Sequence, residues 1–408
     1  MRAPQSAAAP LPKHRSCPFD PPQEYGRLRE QDPVSRLAFP DGTVGWLLTR
    51  HEDVRAVLAD KRFSSNRLRA SSLLRRIMVR PEDHESSAGM LVMLDPPEHT
   101  RCRRMLTRYF TARRMQALAP QIEQIVSDHL DAMEHSGPPV DLVQAFALSI
   151  PSLVICELLG APFSDRGRFQ GWTSTLLRLD TAESDAFAAA DALKQYMLDL
   201  VAAKRAHPDD ALLSHMIATA DLEDPEARLS DEEVAEVGRM LLVAGHETTA
   251  NVLALGTYTL LCHPTQLHRL REHPENIGHA IEELLRHLNI FQFEAVRVAQ
   301  ENVEIAGRRI RAGETIIASL IAANRDPDHF PKPDELDLTR QPSQHVAFGH
   351  GIHQCLGQQL VRVEMGIAFP ALLRRFPTLR LAVPPEMVPM RNDKLIYGVH
   401  ELPVTWEG

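Results

Sequence analysis

Phe348-Gly349-His350-Gly351-Ile352-His353-Gln354-Cys355-Leu356-Gly357 is a glycine-punctuated loop that delivers one cysteine to the start of a helix. Gly349 and Gly351 permit backbone angles and close approaches that a Cβ would forbid. From Leu356 onward, Leu360, Val363, Glu364 and Ile367 recur at helical spacing. A thiol at a helix N-terminus lies near unsatisfied N–H groups and the positive end of the helix dipole, and both favour thiolate. Such a cysteine suits a soft metal. Spacing alone leaves the metal open. His350, His353 and Cys355 also read as part of a zinc site, and a buried structural cysteine is the plain alternative.

The remainder of the 408-residue chain narrows the class. Its formal charge is -9 and 44% of its residues are hydrophobic, ample for a large core. An acidic balance with scattered charge argues against a nucleic-acid partner. No apolar run reaches the roughly eighteen residues that a membrane span needs. Met1 to about His14 is Ala/Pro-rich, lacks the apolar stretch of a signal peptide, and is expected to be a disordered tail. The cysteines Cys17, Cys102, Cys156, Cys262 and Cys355 are scattered and without CxxC spacing, which points to a reducing cytoplasm rather than a disulfide framework.

Val34 to Leu48 reads as a hairpin around Asp41-Gly42. Thr49 and Glu52 have the spacing of a capping box before a short helix carrying Val54, Val57 and Leu58. Ser71 to Met90 mixes charges without periodicity and is expected to be a long loop. Helices are expected from Asp95-Pro96-Pro97-Glu98, over Met115 to Glu134, Leu142 to Leu159, Asp165 to Leu179 and Ser184 to Ala206. The longest helical pattern runs from Ser230 to Leu261, with Ser230 and Glu233 as its capping box. Strand character follows at Val303 to Ile305, Arg308 to Ile310 and Thr315 to Ser319, and returns at Leu379 to Val383 and Val399 to Thr405. The fold class is mainly α with a small β region, and without a clean linker 1–408 reads as a single domain.

Three constellations carry chemistry. In Leu241-Leu242-Val243-Ala244-Gly245-His246-Glu247-Thr248-Thr249, polar residues break an apolar run at mid-helix. Hydroxyls there can bond back to the carbonyl four residues earlier, and Gly245 leaves room beside the helix. This describes either a helix packed on polar neighbours or a groove where a small ligand meets an acid and a hydroxyl. Glu283-Leu284-Leu285-Arg286 places Glu and Arg on one helix face. Finally, His99 and Arg103 share a helix face, Arg297 follows a helix break, and His353 precedes Cys355 by two residues. Arg101, Arg104, Arg108, Arg113 and Arg114 add a basic excess that is either a solvated face or a docking patch for an acidic protein.

The decapeptide around Cys355 resembles the haem-thiolate loop of the cytochrome P-450 monooxygenases. The mid-helix run is similar to that family's oxygen-activation motif, with Ala244, Gly245, Glu247 and Thr248 matching it, and Glu283/Arg286 resembles its Glu-x-x-Arg pair, completed there by a later arginine for which Arg340 is best placed. The resemblance implies the cytochrome P-450 fold with a long central helix over haem b, and Cys355 as axial iron ligand. It also implies haem contacts from Phe348, Gly349 and Ala244, propionate contacts from His99, Arg103, Arg297 and His353, and proton delivery by Thr248 and Glu247. The implied reaction inserts one atom of O2 into an apolar organic molecule of bacterial secondary metabolism, such as a polyketide, macrolide or terpenoid. Electrons would come from NAD(P)H through a ferredoxin and its reductase, since no flavin or Fe–S motif is present. Substrate contacts are expected from Ser71 to Met90, Leu176 to Phe187, Leu241 to Thr248 and Asn289 to Val296. A non-catalytic haem sensor or carrier would need the cysteine but not Glu247 and Thr248.

Overall fold

The computed structural model describes residues 8–39, 41–66, 91–220, 229–292 and 295–407. They group into two units, one from Met1–Pro81 with Glu282–Cys355, the other from Glu82–Ile281 with Leu356–Gly408. The expected loop Ser71 to Met90 lies outside the described residues, as do Phe293 and Glu294.

The first unit is built on a six-stranded mixed sheet in the order Ala9–Pro10, Val34–Ala38, Val44–Leu48, Thr315–Ala318, Ala295–Ala299, Phe63–Ser64. The predicted hairpin is there, Val34 opposite Leu48, with Gly42 at positive φ in its turn. Side-chain alternation sorts the residues onto two faces. Trp46, Leu48, Ile316 and Ala318 pack with Val54, Val57 and Leu58 of the helix His51–Ala59, while Leu37, Leu47, Val298 and Ile317 pack with Tyr25 and Ile321. Cover on both faces explains the apolar runs Trp46-Leu47-Leu48 and Ile316-Ile317-Ala318 in the two central strands.

Two expectations are corrected in this unit. The tail is anchored from Ala9, because Ala9 and Pro10 pair in parallel with Leu37 and Ala38, and Leu11 packs beneath the sheet. An edge strand tolerates proline, and the open edge offers partners to any extended segment. The Thr49/Glu52 capping box does not form either. Arg50 is the N-cap, Thr49 donates to the Pro33 carbonyl at 3.3 Å, and the His51 N–H is met by Asp326 Oδ2 at 2.8 Å.

Helices make up most of the second unit. The helix Asp231–Cys262 opens with the predicted capping box: Glu233 N–H donates to Ser230 Oγ at 3.1 Å, and Ser230 N–H to Glu233 Oε2 at 2.9 Å. It packs against the helices Ser149–Leu159 and Glu183–Ala206. Met115 to Glu134 is not one helix but two, Ala112–Ala117 and Ala119–Ser136, because Pro120 belongs in a first turn. Leu142 to Leu159 likewise begins as a π-helical stretch, Val143–Ala147, before Ser149–Leu159. A small sheet joins Arg380–Leu381, Pro403–Thr405 and Val140–Asp141. The helix Gln358–Arg375 starts two residues later than its period suggests and packs on Ala119–Ser136.

Candidate active site

In the first unit the cysteine loop is closed by its own backbone. Cys355 N–H donates to the Phe348 carbonyl at 2.8 Å, Gln354 N–H to Gly351 O at 3.0 Å, and Gly349 N–H to Val346 O at 2.8 Å. Gly349 and Gly351 both sit at positive φ, at 70° and 74°. Only Gly351 is also a close approach: a Cβ there would run into the Leu58 carbonyl and the Ala59 backbone at the end of His51–Ala59. Cys355 is half-buried and forms no disulfide among the described residues, with Phe348, Gly349 and His353 half-buried around the turn.

A chain of hydrogen bonds holds this loop from behind. Glu283 receives Arg286 at 2.7 and 2.9 Å and Arg340 Nε at 3.0 Å, so the arginine proposed from sequence as the third member does join the pair. Arg286 also donates to the Asn324 and Pro333 carbonyls at 2.8 Å. The Asn324 side chain in turn accepts the Val346 N–H at 2.8 Å, two residues before Phe348. Glu283 and Arg286 are almost wholly buried, and a buried pair of this kind holds only because its remaining valences are filled. In the same unit Arg297 is buried in the strand Ala295–Ala299, donating to the Val296 carbonyl at 2.8 Å.

The second unit carries the other group. Residues of Asp231–Cys262 are buried along most of its length, but Ala244 is exposed and Val243, Gly245 and Thr248 are half-buried. This leaves an uncovered strip about one turn long. Gly245 lies on the packed side, where a Cβ would come within 2.9 Å of Ile155. The Thr248 hydroxyl donates to the Ala244 carbonyl at 2.6 Å and Thr249 to Gly245 at 3.2 Å, the back-bonding that the sequence allows. Glu247 points into the protein, 4% exposed, where Arg391 Nη2 meets its Oε2 at 2.9 Å and Asn251 Nδ2 lies at 3.3 Å. Burial alone would raise its pKa, but the charge of Arg391, with that of Lys394, holds the carboxyl below its ordinary range. His246 is fully buried and kept neutral by that burial, its Nδ1 at 2.7 Å from the Leu242 carbonyl. His99 is buried in the helix Glu98–Thr107, with Arg103 half-buried one turn on.

Comparison with known proteins decides the family. The family model "Cytochrome P450" matches residues 169–406. Cytochrome P450-SU2 of Streptomyces griseolus is 44% identical over 99% of this chain and 98% of the relative. Pentalenic acid synthase of Streptomyces avermitilis is 44% identical over 98% of each. The crystal structure of CYP105P1 in complex with filipin I superposes with a TM-score of 0.92 at 44% identity, covering 98% of this chain and 99% of that one. The chain belongs to the cytochrome P450 family.

As a P450 it is a haem-iron monooxygenase, and the fold class read from sequence is that of its structural relatives. Among the described residues no helix is long and apolar enough to cross a membrane. Phe348, Gly349, His353, Cys355 and Arg297 belong to one unit of this P450, and His99, Arg103, Ala244, Glu247 and Thr248 to the other. The basic excess near residue 104 is smaller than the sequence suggests, because Arg101 is tied to Glu233. Arg104, Arg108, Arg113 and Arg114 are exposed, with Arg108 and Arg114 over the Tyr109 ring. Sequence reasoning missed Asn251 and Arg391. Asn251 lies one helical turn from Glu247, a signal that spacing carries; Arg391 is 144 residues away and no pattern joins them. Glu364, which the helical period places with Leu360, Val363 and Ile367, is wholly buried on Gln358–Arg375 and pushed up to about 8 by desolvation.

Proposed function

We propose that this P450 binds haem b through Cys355 and oxidises a bulky apolar skeleton of bacterial secondary metabolism, such as a polyketide, macrolide or terpenoid. The observation that carries the cofactor assignment is the Cys355 loop. A half-exposed thiol, a positive-φ glycine turn and a buried Glu283–Arg286–Asn324 brace together suit a thiolate ligand held rigidly against a metal. Nothing in the loop favours the zinc alternative: among the described residues no cluster of His, Cys, Asp and Glu has a metal-binding arrangement. Thiolate-ligated haem, when bound, supplies O2 activation, placing one oxygen atom in the substrate and releasing the other as water for two electrons and two protons.

The protein's own residues hold, orient and protonate. Phe348, Gly349 and Ala244 offer apolar or uncovered surface to a flat macrocycle. His99, Arg103, Arg297 and His353 offer donors that buried propionates require. Thr248 keeps its hydroxyl on the Ala244 carbonyl at 2.6 Å, and its oxygen can still accept a proton donor at the uncovered strip. Glu247, ionised beside Arg391, is assigned the relay of protons from solvent. This acid–hydroxyl pair supports an enzyme over a sensor or carrier. The substrate class is supported by the names of the relatives, one a pentalenic acid synthase and one solved with filipin I. Its contacts are assigned to Ser71–Met90, Leu176–Phe187, Leu241–Thr248 and Asn289–Val296. Electrons are assigned to NAD(P)H through a ferredoxin and its reductase, and the chain to the cytoplasm as one catalytic domain.

The test is spectroscopic. Reduced, CO-treated protein should show the Soret band of thiolate-ligated haem, and Cys355→Ala should lose it; a variant that retains full oxygenation would overturn the assignment. A screen of polyketide, macrolide and terpenoid skeletons, read as a low- to high-spin shift of the iron, identifies the substrate class.

A further inference from the structure

Glu247 does not stand alone in its helix. Arg391 donates from Nη2 to Glu247 Oε2 at 2.9 Å and from Nη1 to Asn251 Oδ1 at 3.1 Å, so one guanidinium spans a full helical turn. Asn251 returns its Nδ2 to the Glu247 carbonyl at 2.7 Å. Around Arg391 the chain folds back on itself. Arg391 N–H donates to Gly398 O at 2.9 Å, and Met390 bridges to Val399. Gly398 lies directly on Asn251, where a Cβ would collide with Oδ1. One edge of this loop is therefore pinned to the acid-bearing turn of the long helix.

The other edge is pinned elsewhere. Lys394 Nζ donates to Ser174 Oγ at 2.9 Å, Leu395 N–H to Leu177 O at 2.8 Å, and Leu179 N–H to Asp393 O at 2.9 Å. Arg178 and Lys394 form the bridge between these bonds. These partners are the last turn of the helix Arg166–Leu177 and the residues after it, the start of the Leu176–Phe187 stretch assigned to substrate. All of these contacts lie within one unit.

We propose that Arg391 is a positioning residue for Glu247, and that the loop Met390–His400 is a strap transmitting displacement of Leu177–Leu179 to the Glu247 carboxylate. Substrate seated on that stretch shifts one edge of the strap, and the other edge adjusts the acid's hold. The inference rests on the proton-delivery reading of Glu247 and deepens it. A strap held by backbone bonds at the Leu177–Leu179 edge and by the Arg391 guanidinium at the Glu247 edge is what such transmission requires, since packed and hydrogen-bonded elements move as units.

The test uses the haem-loaded protein with a spin-shifting substrate. Arg391→Gln should lower product formed per NAD(P)H consumed by about ten-fold, leave the spin-shift affinity within about two-fold, and be partly rescued by Arg391→Lys. Amide hydrogen exchange gives a readout independent of turnover: the amides of Leu179 and Leu395 should exchange about ten-fold faster in Arg391→Gln. In the parent protein, substrate should change exchange on both edges together. Unchanged coupling in Arg391→Gln, or loosening confined to the Glu247 edge, overturns the proposal. Glu247→Gln separates the two readings. If it leaves coupling intact, proton delivery by Glu247 fails; if it uncouples while Arg391→Gln does not, only the strap fails. Should Arg391→Gln not load haem, Ser174→Ala removes the side-chain bond of the far edge instead, leaving its two backbone bonds. It must then reduce coupling and speed Leu179 exchange, and parent-like values for both would overturn the strap.

Discussion

Two buried glutamates show how environment divides identical side chains. Glu247 has Arg391 against it and is held below its ordinary pKa; Glu364 has desolvation alone and is pushed up to about 8. Their effects on stability run in opposite directions with pH. The depressed Glu247 contributes stability that is fully present above its unfolded value and is lost as pH falls through its folded value. Acidification should therefore weaken the protein through Glu247, and Glu247→Gln should flatten the acid limb of a plot of melting temperature against pH. The raised Glu364 binds a proton that the unfolded chain would release, so it destabilises increasingly from pH 4.5 up to about 8. Glu364→Gln should gain on the order of a few kcal/mol at pH 8 and nothing near pH 4.5. Equal melting temperatures at both pH values would mean that the carboxyl has found a partner.

At the scale of elements, the cysteine loop offers a controlled comparison. Gly349 and Gly351 share a positive φ, yet a Cβ meets nothing at the first and the Leu58 carbonyl at the second. Gly349→Ala should cost about 1 kcal/mol, the conformational term alone. Gly351→Ala adds a clash with backbone that cannot rotate away and should cost several-fold more, read as lost haem loading and a lower melting temperature. The brace gives a second contrast. Arg286 is 1% exposed and bonded to Glu283 and the carbonyls of Asn324, Pro333 and Glu335, whereas the Arg340 side chain is 15% exposed. Arg286→Ala strands a buried carboxylate and should cost about 3–5 kcal/mol; Arg340→Ala leaves Glu283 its main partner and should cost clearly less, both measured by denaturant unfolding. The element boundaries that differ from expectation have local causes. Pro120 divides a periodic stretch into two helices, and Arg297 interrupts an apolar run so that the buried strand Ala295–Ala299 does not read as one.

At the scale of the whole molecule, an acidic chain of net charge -9 presents exposed Arg104, Arg108, Arg113 and Arg114 close together in sequence. If an acidic electron donor meets them, replacing Arg104 and Arg108 by Gln should slow its reduction of the haem at low ionic strength and converge with the parent rate at high salt, since screening removes steering. Stopped-flow reduction across a salt series reads this directly. What lies within a few residues was legible along the chain: the glycine turn before Cys355, the Ser230/Glu233 capping box, the hairpin about Gly42, and the Glu283/Arg286 pair. Each follows from φ preference or helical period, both local properties of a chain. Tertiary packing alone sets that Glu247 faces Arg391 rather than solvent, that Gly351 lies against the Leu58 backbone, and that Glu364 Oε2 is sealed without a hydrogen-bond partner among the described residues. Charge state and close approach depend on what packing brings together from distant positions, and no local period records that.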